Sequence, residues 1–186
     1  SHRSDEYVAI AGKAEQDLRD LLSVPSDSKV LFLQGGASQQ FAEIPLNLLP
    51  EDGIADYIDT GIWSRKAIEE AQRFGNVNVA ASAKAYDYFA IPGQNEWQLS
   101  KAAAYLHYAS NETIGGIEFD WIPQVGDVPL VADMSSDILS RQLDVSKFGL
   151  IYAGAQKNIG PSGLVLVIVC EDLLGRARSI CPTMLN

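Results

Sequence analysis

Apolar positions along the chain come in two kinds of run, and the kinds alternate. Val8, Ala11, Ala14, Leu18, Leu21 and Leu22 recur at helical spacing on one face. Ser4 is a good N-cap ahead of them, and Asp5 and Glu6 occupy the first turn, where the helix dipole favours anions. The pattern predicts a helix from Asp5 to Leu22, ended by Pro25 and Ser26. Val30 to Leu33 is a short continuous apolar run, read as a strand. The turn Gln34-Gly35-Gly36-Ala37-Ser38 follows, then a helical stretch from about Gln39 to Leu49. Ile54 to Thr60 reads as the next strand. Gly61-Ile62-Trp63-Ser64 turns into a helix with Ser64 as its cap and Ala67, Ile68, Ala71 and Phe74 inside. Gly75 would close that helix at C′. Val77 to Ala81, Tyr105 to Ala109, Pro129 to Met134, Leu150 to Ala153 and Leu164 to Val169 are further strands. Residues 84 to 98 are irregular, and Arg141 to Phe148 is a polar connection. No internal repeat or low-complexity segment appears.

Strands alternating with helices predict an α/β layer with a mostly parallel sheet. In such sheets ligands bind beyond the carboxyl ends of the strands. Gly35 to Ser38, Trp63, Thr113, Asp133 and Lys157 all fall at or near such ends.

Composition narrows the function classes. The chain has 186 residues, enough for one sizeable core or a large part of a bigger domain. Its net charge is −10, from 14 basic and 24 acidic residues. No basic cluster offers a track for a phosphate backbone, which argues against nucleic acid as a partner. No apolar run is long enough to cross a bilayer, and no signal peptide opens the chain, so no membrane association is expected. Cys170 and Cys181 form no metal-ligand spacing and suggest a reducing, cytoplasmic setting. Ser1 rather than Met opens the chain, and CPTMLN closes it without a helix cap. Both ends are read as cuts.

The candidate chemistry starts at LIYAGAQKNIGP, residues 150 to 161. One lysine, Lys157, sits between two apolar runs. Burial would lower its pKa, and a neutral amine is the nucleophile that condenses with carbonyls. The alternative is a lysine that snorkels to water. The glycine turn before Ser38 suits a phosphate at a helix start, or it is a tight turn with Ser38 as N-cap. Asp133 interrupts an apolar strand. It is the buried acid that would keep a cofactor's ring nitrogen protonated, or it caps a turn near Ser135 and Ser136. Trp63 can stack on a ring or belong to the core. His107, inside an apolar strand, reads as a satisfied core histidine, and Trp97 as packing.

Five segments, FLQGGAS (32–38), GIW (61–63), SNETIGG (110–116), VADMSSDILSR (131–141) and IYAGAQKNIGPSG (151–163), occur in one order. Together they resemble the phosphoserine aminotransferases, pyridoxal-phosphate enzymes of fold-type I. The resemblance runs over essentially the whole chain. It implies a three-layer αβα sandwich, with residues 1–186 an incomplete large, cofactor-binding domain and the small C-terminal domain absent. It implies that Lys157 is the Schiff-base lysine, Gln156 a contact to the ring hydroxyl and Asp133 the ring-nitrogen partner. Trp63 would stack on the ring, Thr113 would contact the ring or its hydroxyl, and Ala37 and Ser38 would form the phosphate turn. His2 and Arg3 resemble a His-Arg pair that reaches a substrate anion in a partner subunit's site; without the family they read as a frayed terminus. The implied cofactor is pyridoxal 5'-phosphate. The implied reaction moves the amino group of L-glutamate to 3-phosphohydroxypyruvate in serine biosynthesis, in a homodimer with shared active sites. A related activity in vitamin B6 (pyridoxine) biosynthesis stays open.

The departure is length, since family members are about twice as long. Three other readings compete: a fragment that folds or dimerises without turnover, another fold-type I enzyme, and a dinucleotide-binding module. The SNETIGG and QKNIGPSG segments argue against the second. The Gly35-Gly36 turn lacks G-x-G-x-x-G spacing, which argues against the third.

Overall fold

Ser4 opens helix α1 (Asp5–Leu22) by accepting the N–H of Tyr7 on its hydroxyl at 3.4 Å. Ser23, in a left-handed conformation, closes it. Strand β1 (Ser28–Gln34), helix α2 (Ala37–Leu48), strand β2 (Ile54–Asp59) and helix α3 (Ile62–Ala71) follow in turn. Then come β3 (Asn76–Ser82), β4 (Ala103–Ala109), the two-residue strands β5 (Asn111–Glu112) and β6 (Ile117–Glu118), and β7 (Leu130–Asp133). Strands β8 (Leu150–Gly154) and β9 (Leu164–Cys170) complete the sheet. This computed structural model describes residues 3–186, so His2 lies outside the described residues.

Seven strands form one sheet in the order β1-β9-β8-β7-β4-β2-β3. Strands β3, β2, β4, β7 and β8 pair in parallel along that order. Strand β9 runs antiparallel to both β8 and β1. Residues 155–163 provide a loop rather than the crossover helix that a parallel return needs, so the chain doubles back. Two reversals leave β1 running in the same direction as β8. The carboxyl ends of β1, β2, β4, β7 and β8 therefore share one edge.

Both faces of the sheet are covered. Leu130 and Ala132 turn to one side, with Leu106, Ile151, Leu166 and Ile168. The last turn of α1 (Leu18, Leu22), Trp97, Phe119, Ile138 and Phe148 pack there. Val131 turns to the other side, with Tyr57, Tyr105, Tyr152, Val165 and Val167, beneath Phe41, Ile44 and Ile68 of α2 and α3. Burial on two faces is why these strands read as continuous apolar runs rather than alternating ones. Trp97 is core as expected, its Nε1–H held by the Pro92 carbonyl at 3.0 Å.

Local details differ from the sequence reading in four places. Helix α3 ends at Ala71, and Phe74 lies in the turn beyond it, its N–H on the Ala71 carbonyl at 2.9 Å. Gly75 is therefore no helix cap. A Cβ there would meet Leu49 Cδ2 at 2.7 Å, and that close approach accounts for the glycine. Helix α2 starts at Ala37 with Gly36 as its N-cap, so Ser38 is inside the first turn. Helix α1 buries only Leu18 and Leu22; Leu21 is 70 % exposed, and Tyr7, Val8 and Ile10 are exposed too. Only the last turn of α1 reaches the sheet. Among the described residues no helix is long and apolar enough to cross a membrane.

Strand β4 lies in the middle of the parallel array, and its Leu106 is fully buried between β2 and β7. Leu106→Ala should lower unfolding free energy by about 3 kcal/mol, the loss of transfer energy plus the cavity left behind. Urea or guanidinium unfolding measures it, and a loss below about 1 kcal/mol would contradict the assigned core.

Candidate active site

The loop after β8 folds back on itself, with the N–H of Gly160 on the Ala155 carbonyl at 2.8 Å. This turn holds Lys157 out from the sheet edge. Its Nζ donates to Thr113 Oγ1 at 2.7 Å. Thr113 sits in the turn between β5 and β6, so the structure brings two of the residues named above into direct contact. Both are exposed. The sequence reading placed Lys157 between buried strands; its flanks are buried, but the lysine stands on the loop that joins them. Gln156 beside it is exposed too, and a Cβ at Gly154 would meet its Oε1 at 2.8 Å.

Asp133 ends β7 and is buried. Its Oδ1 accepts the Ser135 N–H at 3.0 Å and the Ser135 hydroxyl at 2.6 Å. The same hydroxyl accepts the Gly154 N–H at 3.0 Å, tying the ends of β7 and β8 together. Asp133 thus caps the turn near Ser135, one of the two sequence readings, and its carboxylate lies buried at the edge. Burial pushes its pKa above the ordinary carboxylate range. Hydrogen bonds from Ser135 and Tyr152 oppose that, and the Glu112 charge adds to it.

Trp63 lies in the first turn of α3. Its N–H donates to Glu112 Oε2 at 3.0 Å, and the Ser64 N–H and hydroxyl donate to Glu112 Oε1 at 2.8 and 2.7 Å. Ser64 is not the N-cap. Gly61 is, and Ser64 Oγ accepts the N–H groups of Thr60 and Gly61 at 2.9 Å each. A side chain at Gly61 would run into Glu112 Cδ at 2.7 Å. Glu112 was missed by the sequence reading. The available signal was an acid just after a strand in a chain whose earlier helix start, GIWS, has a glycine at the N-cap. The indole Nε1 of Trp63 is buried with no hydrogen-bond partner, and Lys66 Nζ stands 4.7 Å from the ring centroid.

At the β1 end, Gly35 has φ +100 and Gly36 caps α2 without a side-chain hydrogen bond. The Gln39 N–H turns back to the Gly36 carbonyl at 3.0 Å. The Gly35 N–H donates to the Gly163 carbonyl at 3.0 Å, which anchors this turn to the loop carrying Lys157. The space over Gly36 is open. Ala37 and Ser38 thus present the start of a helix with no capping side chain, the arrangement that suits an anion. Arg3 is exposed in the turn before α1.

The class-V aminotransferase family model matches residues 1–183. The chain belongs to this family. The phosphoserine aminotransferase of Pseudomonas aeruginosa PAO1 is 87 % identical over 186 residues, all of this chain and 52 % of that protein. That of Azotobacter vinelandii is 84 % identical over the same share. The chain spans about half the length of the curated relatives it matches. The solved phosphoserine aminotransferase of Bacillus circulans subsp. alkalophilus has a TM-score of 0.96 at 53 % identity over all of this chain and 51 % of its own. A pyridoxal-phosphate-bound phosphoserine aminotransferase from Trichomonas vaginalis gives 0.90 at 41 % identity, over all of this chain and 52 % of its own. The fold is the three-layer, mostly parallel large-domain fold of the fold-type I aminotransferases.

Behind Asp133, the sheet buries His107. Its Nε2 is 2.9 Å from the Tyr152 hydroxyl, while Nδ1 has no partner, so it is only half satisfied. Tyr57 and Tyr152 stack on its ring, and burial depresses its pKa to about 3.

Two predictions follow from these contacts. Glu112→Ala should destabilise the protein by about 2 to 3 kcal/mol, since it leaves the N–H groups of Trp63 and Ser64 unpaired at a helix start. Glu112→Gln, which keeps one acceptor oxygen, should cost less; a loss equal to that of alanine would show that the charge carries the whole effect. An unfolded His107 binds a proton near its ordinary pKa of about 6.5, while the folded one stays neutral down to about 3. The unfolded state binds more protons in that window, so this residue makes stability fall as pH drops from 6.5 towards 3, by up to about 1.4 kcal/mol per unit. Subtracting the unfolding curve of His107→Gln from that of the parent isolates the slope; a zero slope contradicts the burial.

Proposed function

We propose that the protein to which these 186 residues belong transfers the amino group of L-glutamate to 3-phosphohydroxypyruvate, giving O-phospho-L-serine and 2-oxoglutarate in serine biosynthesis. The observation that carries this reading is the Lys157 amine on Thr113, at the same sheet edge as a buried Asp133 and an uncapped helix start. The family and the relatives' printed activity support it. A use of the same site in vitamin B6 biosynthesis is compatible with this edge.

The residues fit pyridoxal 5'-phosphate. Asp133 is a buried acid whose charged neighbour is another acid, Glu112, so a ring cation would relieve both. Trp63 leaves a buried indole N–H unpaired beside the edge. The start of α2 is open above Gly36. When bound, the cofactor supplies a carbonyl for an amine and a ring that accepts the electron pair left on a deprotonated α-carbon.

In this reading Lys157 Nζ holds the cofactor. As a free amine, the same nitrogen would carry the proton away from the substrate α-carbon. Thr113 Oγ1 orients Nζ for both tasks. Asp133 keeps the ring nitrogen protonated, because its carboxylate is desolvated and in need of a positive partner. The N–H groups of Ala37 and Ser38 take the phosphate, aided by the α2 dipole. Trp63 covers the ring and closes the substrate side, and the Gln156 amide reaches the ring hydroxyl.

Residues 1–186 form the cofactor-binding large domain, and the substrate carboxylate is bound by a smaller domain that lies outside them. His2 and Arg3 serve a substrate anion in the site of a second copy. The exposed apolar stripe of Tyr7, Val8 and Ile10 on α1 supports a homodimer interface there. Two free cysteines are in keeping with work in the cytoplasm. A second reading applies to the isolated 186 residues, which fold or dimerise without turnover; the half-length coverage favours it.

Added pyridoxal phosphate, followed by borohydride reduction and peptide mapping, should mark Lys157. Lys157→Ala should lose the mark and keep the fold, and labelling of a different lysine would overturn the assignment. Asp133→Asn should weaken cofactor binding about tenfold or more, the effect of losing a charge-assisted contact. Equal affinity would remove its role.

A further inference from the structure

A buried polar chain runs back from Asp133 into the sheet, and the reading above leaves it unused. Tyr152 pairs with Asp133 in the β7/β8 register, and its hydroxyl acts to lower the pKa of that carboxylate. The Tyr152 hydroxyl also lies 2.9 Å from His107 Nε2 on β4. His107 is 1 % exposed. It is held between the Tyr57 ring (centroids 4.8 Å apart, planes 27° apart) and the Tyr152 ring (5.8 Å, 29°). The hydroxyls of Tyr57 and Tyr105 are paired with each other at 2.8 Å. Nothing bonds to His107 Nδ1.

Counting protons gives this chain a direction. A neutral imidazole carries one N–H. Placed on Nδ1, that proton would be a buried donor facing no acceptor. Nε2 would then accept the single Tyr152 proton, and Asp133 would meet a lone pair. Placed on Nε2, the proton goes to Tyr152 Oη, and Tyr152 is free to donate to Asp133. The one unpaired atom is then an acceptor lone pair, which is tolerated more readily than an orphaned donor. Ser135 already occupies Asp133 Oδ1, so the carboxylate is gripped from both the turn and the sheet.

We propose that His107 and Tyr152 are positioning residues for Asp133. The relay runs from His107 Nε2–H to Tyr152 Oη, and from Tyr152 Oη–H to the Asp133 carboxylate. It orients that carboxylate and keeps it ionised towards the cofactor's ring nitrogen. The role at the ring rests on the function proposed above; the direction of the relay does not.

Two measurements test it. The first is nitrogen NMR of the protein without cofactor, labelled with 15N-histidine. The chain has 2 histidines, so loss of a signal set in His107→Gln assigns it. The expected result is a protonated Nε2 and an unprotonated Nδ1, and the opposite tautomer overturns the relay. The second measures equilibrium affinity for pyridoxal phosphate carrying 15N at the ring nitrogen. Tyr152→Phe should weaken affinity about tenfold, the scale of one hydrogen bond to a charged group. It should also move the ring-nitrogen resonance towards the unprotonated form. In an Asp133→Asn background the same change should do nothing further. Unaltered affinity and resonance in Tyr152→Phe overturn the positioning role while leaving the function reading intact. If Tyr152→Phe fails to fold, His107→Gln, which keeps a donor, should bind cofactor more tightly than His107→Leu; equal binding overturns the role. A parent protein that takes up no cofactor defeats the function reading instead, and the tautomer then decides the relay.

Discussion

One carboxylate holds the functional edge together. Glu112 is 1 % exposed, and its two oxygens take the N–H groups of Trp63 and Ser64 and the Ser64 hydroxyl. A buried charge is costly unless it is met by donors. Here the donors are the unsatisfied start of a helix, whose dipole favours an anion. The next residue, Thr113, receives the Lys157 amine. Three separate parts of the chain, the β2–α3 turn, the β5–β6 hairpin and the β8–β9 loop, are thereby registered through two adjacent residues. Gly61 is part of the same constraint, because the carboxylate fills the space where a Cβ would be.

The sheet makes this registration possible. Five parallel-running strands deliver their carboxyl ends to one edge, and β1 joins them because β9 reverses the direction twice. With both faces buried, the sheet core carries the stability. The edge can then hold groups that do not suit a core. Asp133 shows this best, since its pKa is raised by burial and by a second acid nearby, against the pull of Ser135 and Tyr152. Such an acid is poised for a cationic partner, and the chain's own exposed amine is directed elsewhere, at Thr113.

Most elements were legible in the sequence because period and punctuation agreed. Helix α1 is marked by Ser4, its acidic first turn and the Pro25-Ser26 stop, and its bounds are as read. What failed did so for nonlocal reasons. The cap of α3 comes from Glu112, far along the chain, so Ser64 looked like the cap when it is the third helical residue. Gly75 looked like a helix stop, but its reason is Leu49. Apolar runs on both sides made Lys157 look buried, yet a loop between two core strands can stand entirely outside the core. The antiparallel β9 has the same composition as its parallel neighbours. The edge location of the candidate residues was visible from strand ends alone; their individual roles came from resemblance. His107 was seen as core, but its tie to Tyr152 needed the register of three strands.

Unpaired buried atoms show where the fold gives way to the site. Among the described residues these are Asp59 Oδ1, Thr60 Oγ1, Trp63 Nε1 and His107 Nδ1. Each costs about 1 to 3 kcal/mol relative to a paired group. They are not scattered. Three fall within five residues at the end of β2 and the start of α3, and the fourth lies on the neighbouring strand β4. A fold that satisfies its core elsewhere and concentrates its unmet donors and acceptors on one edge is locally inconsistent there, and such places are where binding sites are found. The same edge holds the two buried acids, the exposed lysine and the open helix start. The uneven distribution of unmet polar groups thus supports a site at this edge on grounds separate from resemblance in sequence.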